Sequence, residues 1–313
     1  MRVLVTGGSG FVGSHFVDKL VSENHEVLVF DNLITGSKDN ILDHIESDVS
    51  KVTFIEGDVQ NFIEIKGDID VVAHFASIAS PKAYVEHPIN TLKSGSQGTI
   101  NTLGLAKAKN AKYLLTSTSE VYGDPLISPQ KEDYWGNVNP NGARSMYDES
   151  KRFAEAAAFA YMRTYDLDIK VARLFNTYGP RMKLNDGRVV TNFMCQAVTN
   201  QDITIYGDGS QTRSLCYISD MVEYLYRLMN SNFTGVMNLG NPEEITILEL
   251  ANKIKEKTTS DSLIKYIDLP MDDPKQRKPD ITLAKKELNY EPKVLLDEGL
   301  DKMIAWGTEK INH

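Results

Sequence analysis

A chain of 313 residues, with 41% hydrophobic and 25% charged side chains, is long enough to bury a substantial core as one large domain or two modest ones. Its formal net charge of −9 excludes a global field that attracts nucleic acid or an anionic membrane, so an anionic ligand must be held by local Arg, Lys or backbone N–H groups. No apolar run approaches the ~20 residues needed to cross a bilayer, and Cys195 and Cys216, the only cysteines, have neither metal-site nor disulfide-framework spacing.

The chain starts MRVLVTGGSGFVG, a short apolar run broken by Gly with no cleavage site after it. It reads as a first strand and not as a signal peptide, so a cytoplasmic location is expected. A helical pattern starts at Phe11, and EVLVF, VTFIEG and DVVAHFA read as further strands. One long helix is expected from about Pro88 to Ala108, then the strand KYLLTS, a helix from about Ser145 to Thr164, and the strand IKVARLF. Apolar strands alternating with amphipathic helices predict an α/β fold, a Rossmann-type doubly wound parallel sheet with helices on both faces.

After about Asn176 the pattern loosens into Gly/Pro/Asn loops, short strands and the Pro-rich charged segment LPMDDPKQRKPD. Residues 1–176 are thus expected to form a nucleotide-binding domain. Residues 177–313 form mainly a smaller substrate-binding lobe, with segments near 213–240 returning to the first.

Gly7, Gly10 and Gly13 stand at G-x-x-G-x-x-G spacing between the first strand and the first helix. Such glycines allow a tight turn and close approach of a pyrophosphate to the helix N-terminus. The next strand ends at Asp31, eighteen residues after Gly13, where an acid takes ribose hydroxyls. A carboxylate there repels a 2′-phosphate and favours NAD over NADP; the nearby Lys38 reads as a solvated lysine. Asp58 ends the third strand, where it either reaches the adenine amine or caps a helix. The expected cofactor contacts here are Gly7, Gly10, Phe11, Val12, Gly13, Asp31, Asn32, Asp58 and Val59.

Residues 114–125, LLTSTSEVYGDP, run from an apolar strand into a turn with Thr118, Ser119 and Glu120. Tyr147 and Lys151 lie four residues apart on a predicted helix and share a face. An ammonium beside a phenol favours phenolate and lowers its pKa from ~10. The phenolate then takes a proton from an alcohol while NAD accepts the hydride, and Lys151 also reaches the nicotinamide ribose. A turn that only caps its strand accounts for Thr118 and Ser119 but poorly for the whole constellation.

GGSGFVG, TSTSEVYGDP and YDESK, in this order, resemble the extended short-chain dehydrogenase/reductase enzymes of the NAD-dependent epimerase/dehydratase family. Within it, the UDP-glucuronate decarboxylase (UDP-xylose synthase) group is the most similar. KEDYWGNVNP, GPRMKLNDGRVVTNF, IYGDGSQTRSLCYISD and DDPKQRKPDI extend the likeness over nearly the whole chain. The membrane anchor of animal forms is not expected here.

The resemblance implies a redox-neutral reaction. C4 of UDP-glucuronate is oxidised with Tyr147 as base, CO2 leaves from the position β to the ketone, C5 is protonated, and C4 is reduced to give UDP-xylose. Thr118 is implied at the C4 oxygen and Glu120 as acid/base, either protonated or held away from C6. Related 4,6-dehydratases carry Asp-Glu where this chain has Ser119-Glu120. A fixed Asp about 4 Å from the substrate carboxylate costs roughly 4 kcal/mol at an effective dielectric near 20, or about three orders of magnitude in affinity. Ser119 therefore argues against a dehydratase, and Glu120 against a 4-epimerase. A non-catalytic NAD-binding scaffold is the alternative from a different class, and it has no need of Tyr147, Lys151 and Glu120 together.

The resemblance also implies positive charge for the substrate from Lys93, Lys107, Arg188, Arg213 and Arg277, with Asn101, Asn176, Tyr206 and Gln211 as neutral contacts. Arg213 is expected at the diphosphate or ribose, Tyr206 near the uridine and Arg277 near the carboxylate. Thr177 and Arg188 join Tyr147 and Lys151 among the cofactor contacts. His74 reads as a core histidine, and six scattered histidines give no metal spacing, so no metal is expected. The apolar faces near 88–108 and 145–164 suggest a homodimer through a four-helix interface.

Overall fold

A computed structural model describes residues 1–47, 49–268 and 276–312. Residues 269–275 of the Pro-rich charged segment lie outside the described residues. In chain order the first part runs β1 (Arg2–Thr6), α1 (Phe11–Ser22), β2 (Glu26–Asp31), α2 (Leu42–Ile45), β3 (Val52–Glu56) and β4 (Val71–His74). Next come α3 (Pro81–Glu86), α4 (Pro88–Lys93), α5 (Thr99–Lys109), β5 (Lys112–Thr118), α6 (Ser145–Tyr165) and β6 (Ile169–Leu174). Val3, Leu4 and Val5 are wholly buried, as expected of a parallel strand covered on both faces.

The long helix expected over 88–108 is divided. A π-helical turn at Ser94–Gly98 separates α4 from α5, and a further helix, α3, precedes them. The physical reason is close packing. A side-chain carbon on Gly95 would meet Cβ of Ser150 on α6 at 2.5 Å, so the chain widens where the two helices touch. Ser80, which caps α3 with Pro81 in its first turn, was the legible signal for the extra helix.

The second part contains β7 (Thr177–Tyr178), α7 (Val189–Val198), β8 (Ile203–Tyr206), β9 (Thr212–Ser214), β10 (Cys216–Tyr217), α8 (Ile218–Asn230) and β11 (Gly235–Leu239). It closes with β12 (Glu244–Thr246), α9 (Ile247–Thr258), β13 (Ile264–Ile267), β14 (Gln276–Arg277), α10 (Thr282–Leu288) and α11 (Leu296–Asn312). Thr246 caps α9 through a reciprocal bond with Glu249, which fixes how that helix leaves β12.

Among the described residues seven strands form one sheet, ordered β11-β6-β5-β4-β1-β2-β3, with every neighbouring pair parallel. Helices α8 and α1 pack together, and β11 joins the sheet beside β6, so the later chain re-enters the first layer. One core lies under α1 and α8, around Phe16, Leu20 and Leu225; the other lies under α5 and α6, around Leu4, Leu103 and Ala158. The fold is thus a doubly wound α/β sheet carrying a smaller C-terminal lobe.

This topology positions the site. From β1 the chain passes to β2 on one side, and β4 returns on the other, so strand order reverses at β1. A crevice opens where the carboxyl ends diverge at such a reversal. Thr6, Asp31, His74 and Thr118 are the last residues of their strands at that end. The small sheet β12-β9-β14 brings Arg277 into register with Arg213 above it.

Candidate active site

The crevice is a cleft of about 950 Å³, at the upper end of the range for small-molecule sites. Its floor begins at the glycine turn. Gly7 has φ 71° and donates its N–H to the Phe30 carbonyl at 2.9 Å. A side-chain carbon on Gly13 would meet the Gly7 carbonyl oxygen at 2.1 Å, so α1 seats directly on the turn. Asp31 is buried and accepts N–H groups of Ser9 and Leu33 at 3.0 and 2.9 Å. Burial raises its pKa, with those N–H groups acting in the opposite direction. A dinucleotide fits this donor set: the unpaired first N–H groups of α1 suit its phosphates, and Asp31 suits a ribose. The buried Ser9 Oγ, with no partner among the described residues, is a further polar group at this turn.

Strand β5 delivers the reactive turn. Its last residue, Thr118, caps a 3-10 turn over Ser119–Tyr122 by accepting the Glu120 N–H at 3.2 Å. Glu120 Oε2 accepts two guanidinium N–H bonds, from Arg144 at 2.7 Å and from Arg277 at 2.8 Å. Arg277 also donates to the Ser119 carbonyl and is 1% exposed. Burial pushes the Glu120 carboxyl upward, but Arg277, Arg144 and Arg213 outweigh it and leave the pKa below its ordinary value. The two guanidiniums on Oε2 thus favour the carboxylate form of Glu120 in the free protein.

Helix α6 delivers Tyr147 and Lys151. Both are buried, and the Tyr147 ring stacks on Tyr84 with centroids 5.3 Å apart. Burial lowers the Lys151 ammonium to about 8. Lys151 Nζ donates to the Thr116 carbonyl at 2.8 Å and lies 6.0 Å from the Tyr147 ring centroid. The expectation that Lys151 depresses the phenol is not met in this structure. Burial drives the Tyr147 pKa well above 10, and the main opposing influence is a hydrogen bond with the Thr118 side chain.

Most of the expected residues converge on the cleft. It is lined by Gly7, Gly10, Phe11, Val12, Gly13, Asp31, Asn32 and Val59, and by Thr118, Ser119, Glu120, Tyr147 and Lys151. Asn176, Thr177, Arg188, Tyr206, Gln211, Arg213 and Arg277 complete that set. Asn176 Nδ2, Gln211 Oε1 and Arg277 Nε are buried without hydrogen-bond partners among the described residues, as expected of groups that serve a polar ligand.

Four expected residues do not line it. Asp58 accepts the Asn32 side-chain amide at 3.1 Å and the Gln60 N–H at 2.8 Å, so it organises the loop beside the cleft. Asn101 is spent on the carbonyls of Val59 and Asn61, both at 2.8 Å. Lys107 places its ammonium 3.7 Å from the Tyr165 ring centroid, and Lys93 sits at the end of α4. For Lys93, Asn101 and Lys107 the structure thus corrects the expectation of a place in this cleft.

Sequence reasoning missed Arg144, Tyr84 and the Thr116 carbonyl. Arg144 had a legible signal, since it precedes Tyr147 by three residues and so shares its side of the helix start. His74 is buried between Thr6 and Thr99 hydroxyls, and burial lowers its pKa to about 3. It is a neutral core histidine. Among the described residues no group of three or more His, Cys, Asp or Glu side chains gathers to hold a metal ion.

Comparison with known proteins places this geometry. The model of the NAD dependent epimerase/dehydratase family matches residues 3–240. UDP-glucuronic acid decarboxylase 6 of Arabidopsis thaliana is 52% identical over 312 residues, covering 97% of this chain and 88% of the relative. UDP-glucuronic acid decarboxylase 1 of Danio rerio is 51% identical, covering 100% of this chain and 74% of the relative. Among solved structures, UDP-glucose 4-epimerase of Thermotoga maritima with UDP-glucose has a TM-score of 0.89 at 28% identity, covering 99% of this chain and 100% of that one. UDP-glucuronic acid 4-epimerase of Bacillus cereus, in complex with UDP-glucuronic acid and NAD, has a TM-score of 0.86 at 25% identity, covering 99% and 100%.

Proposed function

Since the chain belongs to the NAD dependent epimerase/dehydratase family, we propose that it is a UDP-glucuronate decarboxylase, a carbon–carbon lyase yielding UDP-xylose. NAD, when bound, supplies reversible oxidation at C4 of the sugar. Gly7, Gly10, Gly13 and the start of α1 would hold its phosphates, and Asp31 a ribose.

The chain's own residues handle protons and charge. Tyr147 takes the C4 hydroxyl proton as its phenolate, the form that the Thr118 hydrogen bond favours against burial, and later returns it, with Lys151 at the adjoining ribose. Once C4 is a ketone, the C6 carboxylate stands β to it, so CO2 leaves while the bonding electrons pass into an enolate. C5 then gains a proton from the Glu120 side of the cleft, and C4 becomes an alcohol again. Arg213, Arg188, Tyr206, Gln211 and Asn176 hold the uridine diphosphate and sugar, and Lys93, Asn101 and Lys107 have no part in this assignment.

The observation that carries this reading is the buried Arg277 guanidinium, held between the Ser119 carbonyl and Glu120 at the sugar end of the cleft. It offers a cation where the substrate has its carboxylate, and Ser119 adds no competing negative charge. The 52% identity to a named decarboxylase supports the same reading. A dehydratase needs an acid in place of Ser119.

The division into an NAD domain over 1–176 and a mainly substrate-binding lobe over 177–313 belongs to this proposal, as does a cytoplasmic homodimer. The exposed Ile89, Leu92 and Ile100 of α4 and α5, with Phe153 of α6, support a four-helix interface. Among the described residues no helix is long and apolar enough to cross a membrane. Release of CO2 from carboxyl-labelled UDP-glucuronate tests the reaction; turnover with the label retained contradicts it.

A further inference from the structure

Asp148, next to Tyr147 on α6, is 7% exposed and is not among the residues that line the cleft. Its Oδ1 is buried with no hydrogen-bond partner among the described residues. The charges acting on it come from Glu120 after β5, Arg144 ahead of α6, Arg277 on β14 and the adjacent Glu149. Tyr147 feels the Asp148 charge in turn. Arg144 and Arg277 both direct an N–H to the same oxygen of Glu120. Both guanidiniums thus donate to Glu120, whereas Oδ1 of the nearby Asp148 has no donor among the described residues and senses them only through their charge. In such a pair the proton resides on the carboxyl that lacks donors. Burial, followed by the Glu120 charge, raises Asp148 to about 7, while Glu120 stays below its ordinary value.

The chemistry needs such a proton, given the decarboxylase reading on which this inference rests. Converting R–COO⁻ into R–H and CO2 takes up one proton per turnover. The C5–C6 bond breaks, its electron pair enters the enolate, and the pair returns to C5 as the C5–H bond forms. Oxidation and reduction at C4 cancel, and Tyr147 returns the proton it took. The arginine-bound Glu120 carboxylate has no proton of its own to give.

We propose that Asp148 is a positioning residue that stores this proton and passes it to Glu120, which delivers it toward C5. A substrate carboxylate arriving beside Arg277 draws guanidinium charge from Glu120 and raises its proton affinity. The two carboxyls then titrate as a unit, with the proton on Asp148 in the free enzyme and on Glu120 when C5 requires it. The store is full below about pH 7 and empties as pH rises, so it sets an alkaline limb on kcat.

The test follows CO2 release from UDP-glucuronate between pH 5.5 and 8.5 for the wild type, Asp148→Asn and Asp148→Glu, with NAD binding and Tm as fold controls. Asn keeps the size and neutrality of the protonated acid but has no proton to pass on. The expected result is a kcat at least tenfold lower at pH 6.5, KM within twofold and no limb near pH 7. Asp148→Glu restores part of kcat with a displaced limb. An Asp148→Asn enzyme with wild-type kcat and an intact limb overturns the proposal. If Asp148→Asn does not fold, Asp148→Glu decides: a displaced limb supports the store, and an identical one overturns it. A wild type that releases no CO2 overturns the decarboxylase reading and this inference with it, whereas an active wild type with an unaffected variant overturns this inference alone.

Discussion

Arg277 Nη2 donates to Glu120 Oε2 at 2.8 Å across 157 residues of sequence, in the wall of the cleft, with the Arg277 side chain 2% exposed and that of Glu120 15%. Strand β14 makes this contact by pairing with β9, which holds Arg277 level with Arg213. Removing one partner of a buried ion pair costs about 3–5 kcal/mol, because the other charge is left uncompensated. Arg144 remains on Glu120, so Arg277→Ala is expected to cost about 3 kcal/mol, the lower end of that range. CO2 release should fall at least a hundredfold. Urea denaturation checks the first value, and a loss below about 1 kcal/mol contradicts the pairing as described.

Tyr147→Phe is expected to abolish C4 oxidation almost completely while NAD still binds. The ring remains to stack on Tyr84, so the pocket wall survives and only the proton acceptor is lost. Calorimetric titration with NAD and a turnover assay separate the two effects. Retained turnover would show that another group takes the proton.

Ser119→Asp adds a carboxylate at the sugar end of the cleft. The bare repulsion of roughly 4 kcal/mol corresponds to about three orders of magnitude in affinity. Arg277, already bonded to the Ser119 carbonyl, offsets part of it, so a loss of about a hundredfold is expected for UDP-glucuronate. UDP-glucose has no C6 carboxylate and should bind nearly as before. Equal losses for both ligands contradict the charge argument.

Lys151 links stability to pH. Its folded pKa of about 8 lies below the unfolded value, so between about pH 8 and 10.5 the unfolded chain binds more protons and stability rises with pH. Relative to Lys151→Met, the wild-type apoprotein should gain roughly 3 kcal/mol between pH 7.5 and 10.5. Parallel urea curves across that range, with a constant difference between the two proteins, contradict it.

The parts of the site legible in the sequence were the local ones. Gly7, Gly10 and Gly13 with Asp31, and Tyr147 with Lys151, declare themselves through spacing along one strand–turn–helix unit or one helix face. Arg277 had no such signal: it reaches Glu120 only through the register of a two-residue strand, and its sequence position was credited through family resemblance. The break at Ser94–Gly98 was hidden for a similar reason, since the crowding that requires it comes from Ser150, over fifty residues away. Asn101 and Lys107 have the right chemistry for an anionic ligand, yet tertiary packing directs them to the Val59 and Asn61 carbonyls and to the Tyr165 ring.

The central claim is that C4 is oxidised and restored while the bond to C6 is lost. The most direct test incubates the protein with UDP-glucuronate and NAD in D2O, measuring CO2 and following the sugar by proton NMR. The account predicts one CO2 per UDP-pentose, one deuterium at C5 and the original hydrogen kept at C4. Consumption of UDP-glucuronate without CO2, yielding its 4-epimer with C6 intact, would contradict it.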